Sequence, residues 1–231
     1  LIVFSFLTGS ATGQFRDASQ ELGFAGGSKA AFADFDNDGW VDLFAGSLFR
    51  NEQGKRLVVV ENSGLPAGEA VWGDYDNDGL VDLFFYSGNA GLYRNLGEGQ
   101  FEAQSFPAMP TDVSRAAAWA DLNGDGWVDL YVGGYEIWEK AVFPDAVYMG
   151  QADGSFREHW RSPTDVRFSA RGVTAADFDE DGAIDVYVYN YRLQPNQLWG
   201  NNGQAGLANV ATKVDVAGIG DGGLISYTGG I

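Results

Sequence analysis

Residues 33–44 read ADFDNDGWVDLF, and the pattern returns as GDYDNDGLVDLF from Gly73, ADLNGDGWVDLY from Ala120 and ADFDEDGAIDVY from Ala176. The shared frame is D-x-[DN]-x-D-G-x-x-D followed by an apolar pair. Its first aspartates, Asp34, Asp74, Asp121 and Asp177, are 40, 47 and 56 residues apart. A period of this size marks a repeat architecture, so the repeat unit is read before any single motif. Carboxylates this close together repel, and a folded chain keeps them only if something positive neutralises them.

Outward from each loop the cassette is constant. Before it a short run ends in a small residue (AAFA, AVWG, AAWA, VTAA), and after it come VDLFAG, VDLFFYSG, VDLYVGG and IDVYVYN. β-Branched and aromatic residues dominate there, which predicts strands. Further on, LFRNEQGKRLVVV, LYRNLGEGQFEAQ, VYMGQADGSFREH and LWGNNGQAGLANV each give strand, Gly/Asn-rich turn and strand, a hairpin. Each unit thus holds about four short strands, with no helical periodicity. The expectation is an all-β chain, a β-propeller of four-stranded antiparallel blades, because sandwiches do not repeat their sequence at this period.

Four full repeats are followed by the approach to a fifth, so the chain reads as a fragment of a larger propeller. Residues 13–231 carry the repeats, with loops at 34–42, 74–82, 121–129 and 177–185. Residues 1–12, LIVFSFLTGSAT, are either the tail of a secretory signal or a first strand. The distance from the last loop aspartate to the end of LFRN, LYRN, VYMG or LWGN is 9, 13, 21 and 16 residues. Length variation therefore sits between the second and third strands, on one face of the repeat, often a binding face.

The chain of 231 residues has 32 acidic and 14 basic side chains, a net charge of −18. That balance argues against nucleic acid and anionic membrane as partners. Fifteen of the acidic residues are aspartates in the four loops, and four divalent cations would bring the net charge to about −10. The absence of cysteine excludes disulfides and thiolate metal sites. No apolar run is long enough to span a bilayer.

Calcium is a hard cation that takes oxygen ligands, and each loop supplies them from positions 1, 3, 5 and 9 with the backbone carbonyl of position 7. The first loop offers Asp34, Asp36, Asp38 and Asp42 with Trp40; the second Asp74, Asp76, Asp78 and Asp82 with Leu80. The third offers Asp121, Asn123, Asp125 and Asp129 with Trp127; the fourth Asp177, Asp179, Asp181 and Asp185 with Ala183. About four Ca²⁺ follow, with glycine at position 6 of every loop making the sharp bend. Position 12 is Ala45, Phe85, Val132 or Val188, so the closing glutamate of an EF-hand is missing and the loops lie between strands. Magnesium prefers a smaller octahedral shell, and zinc wants His or Cys.

With DFDNDGWVDL-type cassettes and LYRNLGEGQF between them, the sequence resembles the FG-GAP-like and VCBS calcium-binding repeats, found in integrin α-subunit propellers and exported bacterial proteins. The Phe-Gly and Gly-Ala-Pro signatures are absent, which sets it closer to the VCBS type. The resemblance implies a propeller with structural calcium and a role in adhesion or ligand binding. The function expected is a non-catalytic module that binds protein or glycan outside the cell, at its surface or in the periplasm. Its candidate contact residues lie in the two longest connections: Tyr135 and Trp138 in YEIWEKAVFPD, and Tyr191, Arg192 and Asn196 in YNYRLQPNQ. Rings beside amide and guanidinium groups suit sugar faces and protein hot spots; packing between blades is the competing role. The alternatives are a propeller-type polysaccharide lyase or hydrolase, or a scaffold for a separate catalytic domain. For an enzyme the sequence offers one histidine, His159, in a strand pattern, and no nucleophile or nucleotide motif.

Overall fold

In the computed structural model, residues 16–24, 26, 29–109, 114–137, 141–163, 169–191 and 194–217 are described. Among them there is no helix, and the strands form four four-stranded antiparallel sheets and one small hairpin. Sheet 1 holds β1 (Ala31–Ala33), β2 (Asp42–Phe44), β3 (Leu48–Asn51) and β4 (Leu57–Val59). Sheet 2 holds β5 (Gly68–Gly73), β6 (Asp82–Gly88), β7 (Gly91–Asn95) and β8 (Phe101–Gln104). Sheet 3 is built from β9 (Ala117–Ala120), β10 (Asp129–Val132), β13 (Ala146–Gly150) and β14 (Phe156–Arg161). The hairpin β11 (Glu136–Ile137) and β12 (Ala141–Val142) is inserted between β10 and β13. Sheet 4 holds β15 (Ala170–Ala176), β16 (Asp185–Asn190), β17 (Gln197–Asn201) and β18 (Leu207–Asn209). Strand order within each sheet follows chain order, as short hairpin connections dictate.

Register is the same at every acidic loop. The loop joins the first strand of a sheet to the second, and the pairs Ala33–Asp42, Gly73–Asp82, Ala120–Asp129 and Ala176–Asp185 close it. At Gly73 the absence of a side chain has a steric reason: a Cβ there would lie 2.6 Å from the Trp119 ring of the next sheet. The first strands pack in succession, β1 on β5, β5 on β9 and β9 on β15. Indole N–H groups tie them, Trp72 donating to the Ala31 carbonyl at 3.1 Å and Trp119 to that of Val71 at 3.5 Å.

The core lies mainly in the contacts between sheets, with a further cluster where Ala18 and Leu22 pack on Leu43 and Leu57 of sheet 1. Sheets 1 and 2 bury Phe35, Phe44 and Leu48 against Leu83, Phe85 and Phe101. Sheets 2 and 3 bury Tyr75, Phe84 and Leu92 against Leu130, Tyr148 and Phe156. Sheets 3 and 4 bury Leu122, Tyr131 and Met149 against Val186, Val188 and Trp199. The post-loop residues Leu43, Leu83, Leu130 and Val186 are all buried, as expected. At the second loop position Phe35, Tyr75 and Leu122 are buried beneath the following sheet, but Phe178 is 41% exposed; no sheet among the described residues follows it. The segments around 17–24 and 209–216 are built alike. In both, an Asp or Asn side chain takes the N–H two residues on (Asp17 with Ser19, Asn209 with Ala211), and an i to i−4 bond follows.

Candidate metal centres

Each acidic loop is organised by its own aspartates. Position 1 receives two backbone N–H groups: Asp34 from Asp38 and Gly39, at 3.1 and 2.9 Å. The same pair recurs at Asp74, Asp121 and Asp177. Position 5 caps the turn, Asp38 accepting from Trp40, Asp78 from Leu80, Asp125 from Trp127 and Asp181 from Ala183. Gly39, Gly79, Gly126 and Gly182 have φ between 88° and 92°, and a Cβ added to any of them would meet nothing within 4 Å, so it is backbone conformation and not space that demands glycine. Position 4 is left-handed too, with Asn37, Asn77 and Glu180 at φ 55–62° and Gly124 at 72°.

The aspartate at position 9 clamps the loop to its sheet. Asp42 accepts the N–H of Phe35 at 3.1 Å with one oxygen and that of Asn51 at 2.7 Å with the other. Asp82 does the same for Tyr75 and Asn95, Asp129 for Leu122 and Gly150, and Asp185 for Phe178 and Asn201. All four side chains are buried. Burial pushes the Asp42 carboxyl up to about 6, Asp82 up to about 7 and Asp129 up to about 6, against the pull of those N–H groups. Burial likewise raises Asp76, followed by the neighbouring charge of Asp78, with Arg94 acting the other way.

Three carboxylate groups converge. One oxygen each from Asp34, Asp36 and Asp42 lies within 4.8 Å of the others, as do those of Asp74, Asp76 and Asp78, and those of Asp177, Asp179 and Asp185. In the third loop Asn123 donates to Asp125 at 2.8 Å instead, and no such triad of carboxylates forms there among the described residues. The residues fit a cation: Asp36 Oδ1 and Asp76 Oδ1 are buried without a hydrogen-bond partner. A buried carboxylate oxygen left bare is costly, and a hard cation among other carboxylates removes that cost.

Two arginines at these sites were not anticipated from sequence. Arg50 Nε pairs with Asp36 Oδ2 at 2.7 Å, and Arg94 with Asp76 Oδ2 at 2.7 Å and Asp78 Oδ2 at 2.9 Å. The signal was the R of LFRN and LYRN, replaced by Met149 and Gly200 in the other units. The loops also touch one another: Asn37 donates to the Gly79 carbonyl at 2.9 Å, and Asn77 to that of Gly126 at 3.1 Å.

The expected contact residues lie at the opposite end of the sheets. Tyr135 and Tyr191 meet around Arg171, whose guanidinium sits 5.3 and 4.6 Å from their ring centres and donates to the Tyr135 hydroxyl at 3.0 Å. Arg115 covers Tyr135 as well, at 5.6 Å. Tyr191 is 47% exposed. Asn196 is buried, its amide donating to the Tyr187 hydroxyl at 2.8 Å and accepting from the Asn190 N–H at 2.9 Å, so it faces inward rather than toward a partner. Trp138 and Arg192 lie outside the described residues, as do residues 1–12. His159 is exposed on β14.

Residues 74–132, from the first aspartate of the second loop to the end of β10, match the model of the FG-GAP-like repeat family. No curated protein matches the chain. Among solved structures, an Agrocybe aegerita lectin that recognises non-reducing terminal N-acetylglucosamine aligns with a TM-score of 0.51 and 17% identity, covering 77% of this chain and 49% of its own. The V. cholerae biofilm matrix protein Bap1 aligns with a TM-score of 0.48 and 17% identity, covering 86% of this chain and 29% of that one. The chain spans about half the length of the lectin and under a third of the matrix protein. At this identity the likeness to the lectin is one of fold.

Proposed function

We propose that the protein is a calcium-stabilised module whose four sheets are consecutive blades of a β-propeller, and that it binds a glycan or protein outside the cell without catalysing a reaction. The calcium reading rests above all on the bare, buried Asp36 Oδ1 and Asp76 Oδ1 within their carboxylate triads. The ligands would be the residues of positions 1, 3, 5 and 9 with the carbonyl of position 7, about four ions in all, Asn123 supplying an amide oxygen in the third loop. A bound cation supplies positive charge where carboxylates crowd and couples binding to folding. The protein's share is to hold the carboxylates in place through the N–H groups of positions 5, 6 and 7 and the clamp at position 9.

The blade reading is supported by first strands that pack in series and by three buried clusters made of sheet-to-sheet contacts. An extracellular, surface or periplasmic setting suits sites of modest affinity, because calcium there reaches the millimolar range of such sites. The FG-GAP-like match and a lectin as structural neighbour favour adhesion or carbohydrate binding over other roles. The test is to titrate calcium into chelated protein while following tryptophan fluorescence and melting temperature. Trp40, 43% exposed at position 7 of the first loop, is a built-in reporter. A saturable change with a rise in melting temperature supports the proposal; a flat response on both readouts refutes it.

A further inference from the structure

The three sheet-to-sheet contacts share one slot, and they fill it differently. The slot lies beside the second loop residue of one sheet and the hairpin turn of the next. Strand register places Val60, Gln104 and Trp160 there: they stand opposite Leu48, Leu92 and Val147, the equivalent residues of β3, β7 and β13. Between sheets 1 and 2, Val60 closes the slot. A Cβ on Gly99 of the opposing turn would lie 2.8 Å from Val60 and 3.8 Å from Arg50. Between sheets 3 and 4, Trp160 closes it, 4.9 Å from Trp199 and 6.4 Å from Tyr131, ring centre to ring centre.

Between sheets 2 and 3 Phe106 takes the place of Trp160, 4.9 Å from Phe84 and 5.0 Å from Tyr148, and the slot stays open only beside it, at the hairpin turn. Gly154 stands where Gly99 does, but a Cβ there would meet only Tyr75, at 3.5 Å. With Gln104 in place of an apolar side chain, a cleft of about 680 Å³ remains, within the range of small-molecule sites. One wall is aromatic, Phe106 against Phe156 with ring centres 5.2 Å apart. The other groups are polar and mixed in sign. Arg94 is held by Asp76 and Asp78 through Nε and Nη2, which leaves Nη1 to donate. Asp153 takes Ser155 N–H and Oγ–H on Oδ1, which leaves Oδ2 to accept. The Gln104 amide both donates and accepts.

We infer that this cleft is a saccharide site, taking a neutral sugar whose hydroxyls meet Arg94, Gln104 and Asp153 and whose C–H face meets the Phe106 and Phe156 wall. Donors and acceptors around an apolar surface match the alternating chemistry of a sugar ring. Asp153 faces the same cleft as the one arginine, which Asp76 and Asp78 already pair, and the chain carries a net charge of −18, so an anionic ligand is disfavoured. This inference deepens the glycan reading above and rests on it.

The experiment uses the whole chain in calcium over immobilised neutral mono- and oligosaccharides. It compares wild type with Gln104→Trp, which puts a bulky ring at a lining position of the cleft, and with Asp153→Ala on the exposed turn. Retention of wild type on at least one saccharide, weakened about tenfold or more in both variants at unchanged melting temperature, is the result expected. Retention undiminished in Asp153→Ala, or in a Gln104→Trp variant that melts like wild type, overturns the cleft and leaves the glycan reading standing. Wild type retained on no saccharide overturns both.

Discussion

The two ends of the sheets obey different rules. At the acidic end every unit repeats the same bonds: two N–H groups on the first aspartate, a capped turn at the fifth position, and a buried clamp at the ninth. At the other end each sheet closes in its own way. Sheet 1 uses a tight turn from Ala45 to Ser47, and sheet 3 an added hairpin over a buried carboxylate, Asp145, that takes the Tyr131 hydroxyl and Gly134 N–H, both at 2.6 Å. Sheet 4 closes with a net of Asn190, Asn196 and Gln197. Four loops that share one sequence frame share one geometry. The variable end shares no such pattern of bonds, and in sheet 4 it leaves Asn190 Oδ1 and Gln197 Nε2 buried without a hydrogen-bond partner.

The largest effect that separates the ends is expected from Asp82→Ala. It strands the buried N–H groups of Tyr75 and Asn95, at a cost of about 2 to 6 kcal/mol, read by urea unfolding in chelator. At the far end Asn190→Ala, which removes donors to the Pro195 carbonyl and Gln197, costs about 1 kcal/mol. Equal losses at the two ends would erase the distinction.

Next is the pH response of metal-free protein. Asp42, Asp82 and Asp129 titrate near 6, 7 and 6 in the fold, above the ordinary aspartate value of about 3.9. Between about pH 4 and 7 the folded state therefore binds more protons than the unfolded one. Chelated protein thus loses stability as pH rises through that window. On the proposed calcium reading, added calcium favours the deprotonated carboxylates and weakens or reverses the slope. Melting temperatures at pH 5 and pH 8, with chelator and with calcium, check both signs.

Asn95 ties sheet 2 to sheet 1, its amide donating to the Phe35 carbonyl at 2.8 Å and that of Val81 at 3.1 Å. Asn201 links sheets 4 and 3 in the same way, through Leu122. Gly150 has no side chain to make such a link, and a Cβ there would lie 2.3 Å from the Val128 carbonyl. Asn95→Gly should cost about 2 kcal/mol in equilibrium unfolding, whereas Gly150→Ala should destabilise by steric overlap alone. The smallest effect is that of Asn37→Gly, which removes the exposed bond to Gly79 while keeping φ accessible, at under about 1 kcal/mol. A larger loss would make the loop-to-loop contact a principal support of the fold.

Much of this was legible in the sequence because the repeat aligns itself. Strand positions, the bend at Gly39 and its counterparts, and the buried Leu43 series follow from residues within one unit. What was hidden depends on neighbouring sheets or distant strands. The pairing of Arg94 with Asp76 spans a loop and the third strand, and Arg171 between Tyr135 and Tyr191 joins two sheets; neither spacing carries a local signal. Asn37 and Asn77 at position 4 were visible, since asparagine and glycine share tolerance for a left-handed backbone, but their bonds to the next loop required knowing which loops are adjacent. Asn196 looked like a surface amide from its Pro- and Gln-rich setting, and only the fold turns it inward.

The central claim is tested most directly by anomalous scattering from crystals grown in calcium. The account predicts strong peaks among Asp34, Asp36 and Asp42, among Asp74, Asp76 and Asp78, among Asp121, Asn123 and Asp125, and among Asp177, Asp179 and Asp185, each with oxygen neighbours at about 2.3 to 2.6 Å. Density in those positions that refines as water, with no anomalous signal at saturating calcium, would contradict it.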